Sequence, residues 1–369
     1  MLTGSDPIIN LTSKELGAIL KDSVKSAEAV NLVYVKDVDP GIRRIKKGSS
    51  FQYILKNRKV SNKKELDRIK KLVIPPAWDN VWICLLENGH LQATGLDVKN
   101  RKQYRYHPLW NSLRNHTKFN NLHEFGKALP NIRLQLEKDL ALSGLPLNKI
   151  LALVVSLMER TNIRVGNGLY EKLYGSYGLT TMKDKHVKFS GSHVQFTFKG
   201  KKGIHHSISI DNKRIAALVK KCRDIPGKEL FQYMDDQNNH HSIDSGMVNE
   251  YIKKISGRDF SAKDFRTWSG TIHALLAFRS LGCCTTQTET KRKIQEALDM
   301  VSKQLGNTRN VCKKYYVHPV LINLYEDKRL ENYFKALDKI EVNDNKTDLT
   351  SEEKILMKIL AKESINSKK

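Results

Sequence analysis

The chain has 369 residues, of which 64 are Lys or Arg and 39 are Asp or Glu, so its formal net charge is +25. This excess predicts a polyanionic partner, nucleic acid first and an anionic membrane surface second. Because the sequence has no apolar run near 18 residues, no P-loop pattern and no basic leader before an apolar stretch, it predicts neither a membrane span, nor nucleotide-driven work, nor secretion.

The first third of the chain is predicted to be rich in β-strand. Short apolar or alternating runs at 32–37, 81–87 and 90–97 indicate strands, and the Asn-Gly pair at 88–89 is a strong signal for a hairpin turn. A helix is predicted over 61–74, where two prolines end it.

The pattern then becomes helical. Two helices are predicted around Pro130, and Asn148 is predicted to cap a buried helix that begins with KILALVVSLM. Between 180 and 210 the period changes to two, which predicts a three-stranded antiparallel sheet with a hairpin tip at 199–203.

Helices are predicted to resume after this sheet and to continue to the end of the chain. In the tail, Thr350 and Glu353 have the spacing of a capping box ahead of a last apolar helix. The remaining predicted helices are 213–225, 247–256, 268–280 and 289–306.

The predicted fold class is therefore α+β. Residues 1–110 would form a small β-rich domain, and residues 111–335 a larger, mainly helical catalytic domain with an inserted β-hairpin sheet. Residues 336–369 would form a polar linker and a C-terminal helix. A nucleic-acid duplex could be clamped between the two domains.

Cysteine and histidine usage gives no metal site. The five cysteines are odd in number and show no CxxC spacing, so we expect buried thiols in a reducing, intracellular compartment. The adjacent histidine pairs at 205–206 and 240–241 are predicted to lie at the surface or in turns. The cysteines are Cys84, Cys222, Cys283, Cys284 and Cys312.

Five short motifs carry side chains that suit phosphate chemistry. An arginine beside a tight turn, or at a helix start, can bind a phosphate through two hydrogen bonds, and a lysine at a hairpin tip can act as a point charge or a proton donor. Each motif alone also has an ordinary structural explanation. The motifs are IRVGN (163–167), FKGKKG (198–203), DFRTW (264–268), LGNT (305–308) and KKYY (313–316).

Taken together and in this order, the motifs resemble those of type IB DNA topoisomerases in the compact form found in poxviruses and many bacteria. The resemblance spans roughly residues 30 to 325. The segment GLDVKNRKQYRYHP at 95–108 also resembles the family's DNA-contacting strand and the turn that follows it.

The resemblance implies a catalytic role for four residues. Arg164 and Arg266 would bind the scissile phosphate, and Lys201 would give a proton to the departing 5′ oxygen. The nucleophile would be Tyr316, because the family spacing of nine residues from the LGNT position selects it over Tyr315.

A fifth position departs from part of the family. Asn307 stands where poxviral and eukaryotic nuclear members have His, although some bacterial-type members have Asn. Because an amide can donate a hydrogen bond but cannot become cationic, Asn307 is expected to stabilise the transition state through a neutral donor. The expected DNA contacts are Lys99, Arg101, Lys102, Gln103, Tyr104 and Tyr106, with Lys199 and Lys202 touching the backbone.

The implied activity is relaxation of supercoiled double-stranded DNA by a monomer, through a 3′-phosphotyrosyl intermediate, without ATP or an obligatory divalent metal. Neither a cofactor nor a membrane partner is expected. The implied location is the bacterial cytoplasm or nucleoid, or a viral particle and its host cytoplasm. Two alternatives stay open from the residues: a tyrosine recombinase, which shares the catalytic set, and a non-catalytic basic DNA-packaging protein.

Overall fold

A computed structural model of the chain describes residues 22–48, 50–98, 100–337 and 347–366. The chain divides into two compact units, residues 1–120 and 121–369, and it combines helices with antiparallel sheets. The predicted α+β class is therefore confirmed. The predicted domain boundaries at 110 and 335 stay predictions, since the division between the two units lies inside a long helix.

The elements of the described residues are numbered in chain order. The strands are β1 (Gly41–Lys47), β2 (Ser50–Leu55), β3 (Arg58–Lys59), β4 (Asp79–Cys84), β5 (Leu91–Leu96), β6 (Lys102–Tyr106), β7 (Val187–Ser190), β8 (His193–Lys199), β9 (His205–Asp211), β10 (Gln232–Met234) and β11 (His240–Ser242). The helices are α1 (Ser23–Glu28), α2 (Lys63–Lys71), α3 (Pro108–Leu140), α4 (Leu147–Thr161), α5 (Gly168–Tyr174), α6 (Lys213–Arg223), α7 (Ser245–Ser256), α8 (Ala262–Leu281), α9 (Gln287–Leu305), α10 (Arg309–Tyr315), α11 (Pro319–Glu326), α12 (Glu331–Leu337) and α13 (Ser351–Asn366).

The first unit is built on a six-stranded antiparallel sheet in the order β3-β2-β1-β4-β5-β6. Helix α2 packs on it through Ile69, against Ile42 and Ile83 of the sheet. Asn62 caps α2, because its side-chain oxygen accepts from the backbone N–H of Glu65 at 3.3 Å. The predicted hairpin between β4 and β5 and the predicted helix between 61 and 74 are thus confirmed.

One predicted strand of this unit is wrong. Residues 32–37 form no ladder beyond an isolated parallel bridge between Val33 and Gly89. Their alternating apolar residues have another cause, because Leu32 packs with Trp110 and Val35 packs with Leu91. The alternation of apolar residues at 32–37 therefore reflects side chains that pack on two sides of an irregular segment, and not a strand in a sheet.

The second unit surrounds α4, which is buried along most of its length. The antiparallel sheet β7-β8-β9 follows, and a 3₁₀ turn over Lys201–Gly203 closes the tip between β8 and β9. The predicted three-stranded sheet and its lysine-bearing tip are confirmed. Helices α6 to α9 then lie where the sequence predicts them.

Two local predictions in the helical region are wrong. Helix α3 is continuous through Pro130, where two helices were expected. A proline removes one backbone donor, but buried side chains on both sides of it, including Phe125, Leu129 and Ile132, keep the segment in one helix. Asn148 is not a cap either, since α4 begins one residue earlier with Pro146 at the N-cap position.

The tail helix is tied into the second unit through one carboxylate. The capping box is confirmed, with the backbone N–H of Thr350 donating to Glu353 Oε2 at 2.9 Å and the N–H of Glu353 donating to Thr350 Oγ1 at 3.4 Å. Arg133 of α3 donates two hydrogen bonds to the Glu353 carboxylate, at 2.8 and 2.9 Å. Trp268 Nε1 of α8 donates to the same carboxylate at 2.9 Å.

We expect Glu353→Ala to destabilise the second unit by about 1–3 kcal/mol, because it leaves buried donors of Arg133 and Trp268 without an acceptor, although Arg133 keeps its ion pair with Glu159. Glu352→Ala removes the neighbouring carboxylate of the same helix and is the matched control. Urea unfolding followed by circular dichroism measures both variants. Equal stability of the two variants would contradict a structural role for this cluster.

The prediction of buried thiols is confirmed for four of the five cysteines. All five cysteines are free thiols; Cys283 is exposed and the other four are buried. Among the helices of the described residues, none combines the length and the apolar character that crossing a membrane requires.

Candidate active site

Arg164 follows directly on the end of α4. Asn162 ends that helix in the left-handed conformation, with φ of 58°, so the chain turns before Arg164. The guanidinium Nη2 donates to Asn307 Oδ1 at 2.7 Å and to Gly306 O at 3.2 Å. Burial, and then the charge of Arg266, lower the pKa of Arg164 from its usual range. Arg164 is thus fixed beside a second cation, where an anion would relieve their repulsion.

Arg266 lies in the first turns of α8 with only 5% of its surface exposed. Its Nη1 donates to Asn162 O, and its Nη2 donates to Leu305 O at 2.8 Å. Burial lowers the pKa of this guanidinium, and the Tyr316 phenol partly offsets the effect. Among the described residues, no group accepts from its buried Nε. The side chain therefore joins the end of α4 to the end of α9 and keeps one donor for a ligand.

Tyr316 comes directly after α10, and its ring centre lies 5.3 Å from Cζ of Arg266. Gly270 of α8 allows this approach, because a Cβ there would lie 2.6 Å from Tyr316 O. Thr271 Oγ1 donates to Tyr316 O at 3.3 Å and so helps to hold the backbone. Tyr315, by contrast, is 37% exposed and lies near Lys314. The structure brings Tyr316, and not Tyr315, to the arginines.

Asn307 is oriented by its contact with Arg164. Because its Oδ1 accepts from Arg164, its Nδ2 is the free end of the amide. This Nδ2 is buried, and none of the described residues accepts a hydrogen bond from it. A buried unpaired donor costs free energy, so its presence beside two arginines indicates that a ligand supplies the acceptor.

Lys201 lies at the tip of the β8–β9 hairpin, where the Gly200 N–H donates to Ile204 O at 2.7 Å and closes the turn. Its Nζ lies 5.9 Å from the ring centre of Tyr170. Lys199 and Lys202 are also exposed, but Lys201 is the lysine that shares a small cleft with Arg164. This Arg164–Lys201 cleft is lined by Asn162, Ile163, Arg164, Tyr177, Phe198, Gly200, Lys201 and His206.

His206 was predicted to lie at the surface or in a turn, and that prediction is wrong. It lies in β9 opposite Phe198 and is half-buried in the cleft. Burial, and then the charges of Arg164 and Arg266, lower its pKa. Strand alternation was the missed signal, since adjacent residues of a strand point to opposite faces of the sheet, and one face of β9 is covered here. Its neighbour His205 is exposed, as are both histidines of the pair at 240–241.

The DNA-contact candidates of the first unit lie on or next to β6, an edge strand of the six-stranded sheet. Tyr104 is 47% exposed and stacks on Tyr106, with ring centres 5.8 Å apart. Lys102 Nζ lies 2.6 Å from Asp37. Arg101 and Gln103 both hydrogen-bond Asp97, and Lys99 lies outside the described residues.

A tyrosine against the buried guanidinium of Arg266, together with the half-buried Arg164 and a lysine-tipped hairpin, is the arrangement of a class of enzymes that exchange a DNA phosphodiester for a phosphotyrosyl bond. Residues 102–343 match the family model of the eukaryotic DNA topoisomerase I catalytic core, and residues 50–97 match the N-terminal domain of bacterial DNA topoisomerase IB. DNA topoisomerase 1B of Acanthamoeba polyphaga mimivirus is 32% identical over 300 residues, which cover 79% of this chain and 89% of the relative. DNA topoisomerase 1B of vaccinia virus (strain Copenhagen) is 24% identical over 238 residues, which cover 63% and 72%.

The chain therefore belongs to the type IB DNA topoisomerase family. Its activity is the relaxation of supercoiled DNA through transient cleavage of a single strand. Of the possibilities that the sequence left open, the family match selects the topoisomerase over the recombinase and the packaging protein.

Proposed function

We propose that Tyr316 is the nucleophile of this topoisomerase. Its phenol oxygen would attack the scissile phosphorus, form a phosphotyrosyl ester with the 3′ end and displace the 5′ oxygen of the next nucleotide. The observation that carries the proposal is the contact of the Tyr316 ring with Arg266, within the same cluster as Arg164 and Asn307. Arg266 therefore places a positive charge next to the phenol that would attack the phosphate.

Arg164, Arg266 and Asn307 would stabilise the transition state. Negative charge grows on the non-bridging oxygens of the phosphate as the phenolate attacks, and fixed donors that face those oxygens lower the barrier. The buried Nε of Arg266 and the buried Nδ2 of Asn307 have no acceptor among the described residues, which supports this role. Their anchors on backbone carbonyls and on Arg164 hold them in place before DNA binds.

Lys201 would protonate the departing 5′ oxygen and take the proton back during religation. Its place in the cleft with Arg164 supports this assignment. Lys199 and Lys202, on the same exposed hairpin, would contact the DNA backbone. Because the phosphotyrosyl ester keeps the energy of the broken linkage, the strand can swivel and rejoin without ATP. Side-chain cations would supply the positive charge that a divalent metal would otherwise provide.

DNA would be held by both units, clamped around the duplex, with one protein molecule acting alone. In the first unit, the β6 side chains and the stacked tyrosines would touch the duplex, where phosphate contacts position the protein. Arg101 and Lys102 already have carboxylate partners, so DNA would compete with Asp97 and Asp37 for them. The free thiols support a reducing, intracellular compartment.

The test is relaxation of a negatively supercoiled plasmid by the purified wild-type protein in EDTA, with no nucleotide present. We expect complete relaxation, because no step needs a metal or ATP. Added Mg²⁺ and added ATP serve as comparison reactions. Activity that appears only when either one is added would contradict the proposed mechanism.

A further inference from the structure

The imidazole of His206 occupies the space between two parts of the active site. A Cβ on Gly200 would lie 2.6 Å from His206 Cδ2, and a Cβ on Gly306 would lie 2.4 Å from His206 Cε1. At both positions the ring leaves no room for a Cβ, and at Gly306 the backbone φ of 58° favours glycine as well. Gly200 directly precedes Lys201, and Gly306 directly precedes Asn307.

The ring is also fixed within its own sheet. It stacks on Phe198 of the neighbouring strand, with ring centres 5.1 Å apart and an interplanar angle of 21°. Phe198 is buried in the core of the second unit, so the ring rests on a rigid base. In the described part of the chain, no protein group hydrogen-bonds the ring nitrogens of His206, so the ring acts through its shape and its contacts.

We infer that His206 is a positioning residue that sets the distance between the Lys201 hairpin tip and the Gly306–Asn307 turn. The inference rests on the proposed role of Lys201 as proton donor. Lysine has a long flexible side chain at an exposed tip, and a donor displaced by even 1 Å can lose much of its effect. A ring wedged between Gly200 and Gly306 limits that displacement.

The test uses a leaving group that needs no proton. A duplex with sulfur in the 5′ bridging position of the scissile linkage releases a thiol of pKa about 8.5, which departs as a thiolate. We expect His206→Ala to cleave the ordinary duplex on the order of 10²-fold more slowly than wild type. On the sulfur duplex, the same variant should cleave at close to the wild-type rate. His205→Ala, at the exposed neighbour, is the control and should match wild type on both substrates.

Two further variants separate the inference from the function on which it rests. The first is Lys201→Ala, whose cleavage rate should also recover on the sulfur duplex. The second combines Lys201→Ala with His206→Ala, and it should cleave the ordinary duplex no more slowly than Lys201→Ala alone. If Lys201→Ala does not recover, the proposed proton donor is wrong. If Lys201→Ala recovers but His206→Ala loses the same rate on both duplexes, His206 has a general structural role and the inference is overturned.

Discussion

Tyr316→Phe is expected to abolish plasmid relaxation and the covalent protein–DNA adduct completely, whereas Tyr315→Phe should keep both. The phenol oxygen of Tyr316 would be the only bond-forming atom of the protein, so no other group can replace it. Phenylalanine preserves the ring against Arg266 and the packing on α8, and the fold should be unchanged. Tyr315 is the matched control, because it is adjacent in sequence but exposed.

A denaturant quench of the reaction on an end-labelled duplex measures the adduct directly. Wild type and Tyr315→Phe should give a labelled protein band, and Tyr316→Phe should give none. DNA binding should be similar in all three proteins, since the phenol hydroxyl adds little to a contact dominated by phosphates. An adduct in Tyr316→Phe, or its loss in Tyr315→Phe, would assign the nucleophile to another residue.

The first unit illustrates where sequence periodicity succeeds and where it fails. The hairpin between β4 and β5 was predictable because its turn carries Asn88 and Gly89 between two apolar runs. Strand β1 was not predictable, because its sequence GIRRIKK contains four cationic residues and few apolar ones. One of its cations, Arg44, is buried and donates to three backbone carbonyls, so it contributes to the fold and not to the DNA-facing charge. Net charge alone could not separate these two uses of arginine.

The helical unit was predicted well in its elements and less well at their ends. The apolar run after Asn148 predicted α4, but the cap that this residue suggested is absent because the helix already begins at Leu147. Similarly, Pro130 predicted a break that tertiary packing prevents. Capping residues and prolines determine where a helix ends only when tertiary packing does not favour a different end.

The candidate site was predicted from a family resemblance that rests on all five motifs together and on no single one of them. Arg164, Lys201 and Tyr316 each have an ordinary explanation in isolation. The fold places Lys201 in one cleft with Arg164, and it places the Tyr316 ring against Arg266 of α8. The carbonyl anchors of Arg266 were not predictable, because they belong to the ends of two helices far apart in sequence. The contacts of His206 with Gly200 and Gly306 were not predictable for the same reason, since only the fold brings the two glycines together.

Arg266→Ala is expected to slow single-turnover cleavage by about 10³-fold, the upper end of the cost of removing one preorganised oxyanion donor. The large effect follows from two functions in one side chain. Arg266 places a buried positive charge beside the Tyr316 ring, and its buried Nε, which has no acceptor among the described residues, is the donor that we propose for the phosphate. Arg279→Ala, at the exposed end of the same helix, is the matched control and should cleave at the wild-type rate.

A second variant separates charge from geometry. Arg266→Lys keeps the positive charge, but an ammonium group cannot reach Asn162 O and Leu305 O while also facing the phosphate, so it should recover only part of the lost rate. Rates are measured on a duplex whose cleaved strand dissociates, so that religation does not mask the cleavage step. Full recovery in Arg266→Lys would mean that charge alone suffices, and an unchanged rate in Arg266→Ala would remove Arg266 from the active site.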